Sequence, residues 1–105
     1  MTEFIVVFVT ASSWEEAEKI GKALVEKKLA ACVNMVRDIR SIFYWKGKIS
    51  DEREVLLIAK AKRKNFEKIE KEVKKMHSYE VPEIIALPIL IGSKDYLDWV
   101  DKESK

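Results

Sequence analysis

Residues 3–10, Glu3 to Thr10, form an almost unbroken run of β-branched and aromatic side chains. Both faces are apolar, so the run predicts a strand at the centre of a sheet. Ser13-Trp14-Glu15-Glu16 follows as a capping box. Its serine is placed to accept from the Glu16 amide, and the Glu16 carboxylate to reach back to Ser13. The helix it opens carries Trp14, Ala17, Ile20, Leu24 and Val25 on one face, with Glu and Lys opposite.

From Cys32 the period changes to two. Arg37, Ile39, Ser41, Phe43 and Trp45 alternate with Asp38, Arg40, Ile42 and Tyr44 as far as a Lys46-Gly47-Lys48 turn, and a second long strand runs from Ile49 to about Lys62. This pattern predicts a long β-hairpin. Its tip holds Phe43, Tyr44, Trp45 and Ile49, apolar surface that a lone subunit would leave in water. Asn65 is placed to cap a second helix with Phe66, Ile69, Val73 and Met76 as its core stripe. Val81-Pro82 ends the helical register. Ile84 to Ile91 reads as a fourth strand, held to a sheet edge or a bulge by Pro88. Gly92-Ser93 opens a last helix with Tyr96, Leu97 and Val100 inward.

The order β-α-β-β-α-β, then α, is an α+β ferredoxin-like plan. Right-handed crossovers around the hairpin give the strand order 4-1-3-2. That order puts strand one inside and strand four at an edge, as their compositions require. The 105 residues suffice for one domain spanning 1–105, with no linker or repeat.

Composition adds limits. Apolar residues make up 48% and charged residues 36%, a globular balance with a Lys- and Glu-rich surface of the kind found in heat-tolerant proteins. The net charge is only +2, and the one basic run (Lys60, Lys62, Arg63, Lys64) is followed at once by Glu67, Glu70 and Glu72. That reads as a salt-bridged surface and argues against nucleic-acid binding. The single cysteine, Cys32, excludes an internal disulfide. Met1-Thr2-Glu3-Phe4 carries no basic leader, and no apolar run is long enough for a membrane span, so the expected location is cytoplasmic.

Five segments in order resemble the CutA divalent-cation-tolerance family. They are Cys32-Val33-Asn34; the run Ser41 to Ile49 at the hairpin tip; Lys60; His77-Ser78-Tyr79-Glu80-Val81-Pro82-Glu83-Ile84; and Tyr96-Leu97-Asp98-Trp99. The chain departs from the family pattern at Phe43, commonly Tyr; at Ala61, often Thr; and at Ser78, usually Pro. The resemblance implies a homotrimer assembled through sheets and hairpin arms. It also implies a role in tolerance of divalent cations, with copper(II) as the associated ion and no organic cofactor, and a likeness to the trimeric PII signalling proteins.

The candidate metal ligands are Cys32, His77, Glu80 and Glu83. Cys32 offers a soft thiolate, yet a lone cysteine where a helix joins a strand also serves as a small core residue. His77 is the only histidine, so one chain cannot build a multi-histidine site. Near a helix end it serves equally as a hydrogen-bonding cap. Glu80 and Glu83 offer hard oxygens, or else partners for Lys60 or Arg40. Lys60, on an inner strand, needs a partner, and Glu80 or Glu83 is the expected one. A cleft between subunits is expected to be lined by Lys60, Tyr79, Phe43 and Trp45, where a PII-like module would take a small ligand. No Ser-His-Asp or Cys-His pattern and no phosphate loop is present, so a non-enzymatic role is expected. Glu54 to Lys62 lacks the aromatics that RNA binding on this plan needs.

Overall fold

A computed structural model describes residues 3–105; Met1 and Thr2, the start of the segment read as leaderless, lie outside the described residues. The elements are β1 (Phe4–Ala11), α1 (Trp14–Glu26), β2 (Cys32–Trp45), β3 (Lys48–Lys62), a 3-10 turn (Arg63–Asn65), α2 (Phe66–Met76), β4 (Ile84–Pro88) and α3 (Lys94–Glu103). The four strands form one antiparallel sheet in the order β2-β3-β1-β4. This is the expected α+β plan, with β1 inside and β4 at an edge.

The alternation along β1 decides which face is covered. Ile5, Val7, Val9 and Ala11 point to the helices and are buried with Leu57, Ala59 and Ala61 of β3. From α1 come Ala17, Ile20 and Leu24, and from α2 Ile69 and Val73. Phe66 and Met76 pack at the margin of this core as predicted, whereas Val25 is exposed. The opposite sheet face carries Val6, Phe8, Leu56, Ile58, Ile85 and Leu87. These side chains are only half-buried or exposed, because α1 and α2 lie on the other side.

The hairpin closes through Lys46 and Gly47, both with left-handed φ (51° and 80°), the backbone a two-residue primed turn requires. Its straight alternation is broken once. Val36 pairs with Leu56 and Ile39 with Glu54, so Arg37 and Asp38 together face Val55, and Asp38 takes a φ of 56°. This β-bulge corrects the face assignment at those two residues. It also moves the odd-numbered side chains of β2 across the sheet: Val33 and Met35 pack on the core, while Ile39, Ser41, Phe43 and Trp45 share the face of Glu54, Glu52 and Ser50. Beyond the bulge the two strands project as an arm, and the molecule measures 44 × 25 × 23 Å.

Other local expectations shift. Asn65 makes no side-chain cap. It is buried instead, and its Nδ2 donates to the carbonyls of Lys105 (3.2 Å) and Leu29 (3.4 Å). α2 stops at Met76, ahead of Val81-Pro82. β4 ends at Pro88, leaving Leu90 and Ile91 84% and 85% exposed. In α3, Val100 is buried but Tyr96 is exposed, stacked at 5.7 Å on Trp99.

Candidate functional site

The capping box at Ser13 is half as drawn. Ser13 Oγ accepts from the Glu16 amide (3.1 Å), but the Glu16 carboxylate passes over Ser13. Its Oε1 accepts from the Ser12 amide (3.0 Å) and hydroxyl (3.1 Å), and its Oε2 from the Ser78 amide (2.9 Å). Glu16 therefore ties the start of α1 to the segment after α2. Burial works against its charge, yet the hydrogen bonds from Ser12 and Ser78 hold its pKa below the ordinary carboxylate value.

That segment begins with His77, whose side chain is fully buried. Its Nδ1 accepts from the Tyr79 amide (3.1 Å) and so carries no proton. Nε2 then carries it and donates to the Thr10 carbonyl at the end of β1 (2.7 Å). Both ring nitrogens are thus engaged in the neutral tautomer, and the Tyr79 ring packs 4.7 Å away. The Tyr79 hydroxyl donates to Glu54 Oε2 (2.7 Å), a carboxylate only 6% exposed on β3. Burial and then the Glu54 carboxylate push the Tyr79 phenol well above its ordinary pKa. Arg37 stacks over Trp14 at 3.8 Å beside the bulge. The base of the arm is therefore pinned at two points, through Trp14 and through Tyr79.

These bonds fix the start of the segment and leave Glu80 and Glu83 exposed. Glu80 lies 4.0 Å from Lys46 at the hairpin turn, and among the described residues Glu83 makes no ion pair. Lys60 does not reach either glutamate; its Nζ donates to Asn34 Oδ1, its diagonal neighbour on the next strand. Arg40 pairs with Asp51 through two hydrogen bonds (2.6 and 2.9 Å). Cys32 lies opposite Lys60, against Tyr96, whose hydroxyl is pushed up in pKa by burial and by Cys32. Thr10 and Cys32 stand four register steps apart along β3, about 13 Å.

Cys32 and His77 are therefore not brought together within one chain. Among the described residues, no group of three or more His, Cys, Asp or Glu side chains is arranged to hold a metal ion. Phe43 and Trp45 lie on the arm at 40% and 41% exposure. A broad groove of about 1380 Å³ runs between β4 and the start of α2, past Phe4, Phe66 and Leu87, and none of the expected cleft residues lines it. Glu16 and Glu54 were not among the sequence candidates. The signal for Glu54 was a carboxylate adjoining an inner-strand run; for Glu16 it was the second serine, Ser12, ahead of the capping box.

The profile of the family described as CutA1 divalent ion tolerance protein matches residues 5–103. The divalent-cation tolerance protein CutA of Archaeoglobus fulgidus is 50% identical over 96 residues, which cover 91% of this chain and 93% of that protein. Its solved structure, named a periplasmic divalent cation tolerance protein, superposes with a TM-score of 0.94 at 47% identity over 97% of this chain and 99% of that one. The divalent cation tolerance protein of Thermus thermophilus superposes with a TM-score of 0.95 at 45% identity, again over 97% and 99%.

Proposed function

This chain belongs to the CutA1 divalent ion tolerance family, and from that premise we propose that it works as a non-enzymatic homotrimer that binds copper(II) or a similar divalent cation between its subunits. The observation that carries the reading is the distribution of apolar surface. Ile42, Ile49 and Tyr44 on the arm are 65%, 65% and 75% exposed, and the sheet face behind the helices has no layer of its own over Ile85 and Leu87. Surface of this extent is covered by assembly in soluble proteins. The sheet also has two open edges, at β2 and β4, which a cyclic assembly can close against one another.

A single chain does not assemble a ligand set, so the cation site takes residues from neighbouring subunits. Glu80 and Glu83 supply oxygens, and Cys32 supplies the soft donor that copper favours. His77, with both nitrogens engaged, holds the segment that presents the two glutamates. The expected cleft of Lys60, Tyr79, Phe43 and Trp45 then adjoins this site in the trimer. Among the described residues no helix is long and apolar enough to cross a membrane, and we place the protein in the cytoplasm.

Calorimetric titration of copper(II) and zinc(II) tests the reading. Binding at micromolar or tighter affinity is expected for the native chain. Glu80→Gln with Glu83→Gln, and separately Cys32→Ala, should each weaken it by about tenfold or more while the assembly stays intact. Equal binding by all three proteins would overturn the assignment.

A further inference from the structure

Several surface lysines are matched with carboxylates: Lys22 with Glu18, Lys28 with Glu103, Lys74 with Glu70 and Lys94 with Asp98. At one concave place lysines gather with few such partners. Lys68, Lys71 and Lys75 recur at helical spacing along one side of α2, and Lys27 at the end of α1 and Lys105 converge on them around a cavity of about 370 Å³. The only acidic side chain in its lining is Glu72, which is 9% exposed. Its Oε2 lies 2.7 Å from Lys27 Nζ and its Oε1 3.4 Å from Lys75 Nζ, so both oxygens are taken. Among the described residues, Lys68, Lys71 and Lys105 have no carboxylate partner. Five lysines against one glutamate leave a side-chain excess of +4 at this cavity, in a chain whose whole net charge is +2.

We propose that this cavity between α1 and α2 binds a small condensed-phosphate anion, of the class of inorganic tripolyphosphate. A concave site lined by one sign of charge focuses its field and concentrates counter-ions. Lysine acts there as a point charge on a flexible stem, without the fork that reads a particular geometry, so the site selects charge density over shape. Glu72 holds Lys27 and Lys75 beside the cavity that the unpaired lysines also line. The volume admits a short phosphate chain. Leu29 is the one apolar lining residue and no aromatic is present, so the site offers no stacking platform for a base. The cavity lies between the helices that cover the core face of the sheet, away from the surface assigned above to assembly. The inference therefore does not depend on the metal reading.

The test is calorimetric titration of the full chain with sodium tripolyphosphate, orthophosphate and ATP in turn. The native protein and two double variants are compared. Lys68→Gln with Lys71→Gln removes two unpaired lysines; Lys22→Gln with Lys94→Gln removes two paired ones elsewhere. Each lowers the net charge from +2 to 0, and glutamine keeps the helix propensity of lysine. Tripolyphosphate is expected to bind about tenfold or more tightly than orthophosphate and to weaken steeply between about 20 and 150 mM salt. The Lys68/Lys71 variant should lose about tenfold in affinity and the control about twofold or less. ATP should bind no more tightly than tripolyphosphate. Absence of binding at low salt, equal loss in both variants, or a clear advantage for ATP would each overturn the proposal.

Discussion

Replacing Glu16 with alanine removes the side chain that joins the start of α1 to the segment carrying His77 and Glu80. Three hydrogen bonds go with it, from the Ser12 amide, the Ser12 hydroxyl and the Ser78 amide, all at 2.9–3.1 Å. Bonds to a charged acceptor contribute about 1.5–3 kcal/mol each when their donors stay dry. Here Ser12 and Ser78 are exposed, so water replaces part of the loss, and the deletion should cost about 2–4 kcal/mol. The pH dependence supplies a second readout. Glu16 titrates in the folded protein below its ordinary value of 4.5. Its contribution is therefore fully present above that value and is lost as pH falls through the depressed folded one. Guanidinium unfolding at fixed subunit concentration, repeated from neutral pH to pH 3, measures both. Glu16→Ala should be less stable at neutral pH and should show a shallower loss of stability on acidification. Glu16→Gln, which keeps one acceptor oxygen, should fall between in stability at neutral pH and share the shallower acid slope, since an amide does not titrate. A neutral-pH difference under about 0.5 kcal/mol, or an unchanged acid slope, would refute the argument.

Tyr79→Phe should destabilise the fold by about 1–3 kcal/mol by leaving the buried Glu54 carboxylate without its donor. In the native protein, the Tyr79 phenol should stay protonated on alkaline titration beyond the ordinary phenol range, as followed by ultraviolet absorbance. Gly47→Ala should cost about 1 kcal/mol in the same unfolding assay. Its Cβ would meet nothing within 4 Å, so the penalty comes from the φ of 80° alone. Leu57→Ala, at a fully buried position on an inner strand, should cost about 2–5 kcal/mol in that assay.

The strand order was legible because two independent signals agree. The two-faced apolar composition of Phe4 to Thr10 demands an inner strand, and Pro88 demands an edge. Helix faces were legible for the same reason of period, apart from Val25, which lies at the margin of its stripe, and Tyr96, which α3 leaves exposed. The bulge was not legible. Arg37 and Asp38 carry on the alternation without a glycine to mark the positive φ, and only the pairing of Val36 and Ile39 with β3 reveals the extra residue. Partner choice was the other gap. Lys60 needed a polar partner, but whether Asn34 or a distant glutamate met it depended on the register between β2 and β3. Asn65 shows the same limit, since its local position suits a cap while two carbonyls distant in sequence capture its amide. In the site, the residue types at His77 and Tyr79 were evident from the sequence. The carboxylates beside them, half-buried Glu16 and buried Glu54, come from other elements, and folding alone brings them there.

Native mass spectrometry of the purified chain during copper(II) titration tests the central claim most directly, because one spectrum reads both the assembly and its ions. A species of three 12.2 kDa chains is expected, taking up copper in steps to one ion per subunit interface. A folded single chain, or a trimer that gains no ion at micromolar copper, would contradict it.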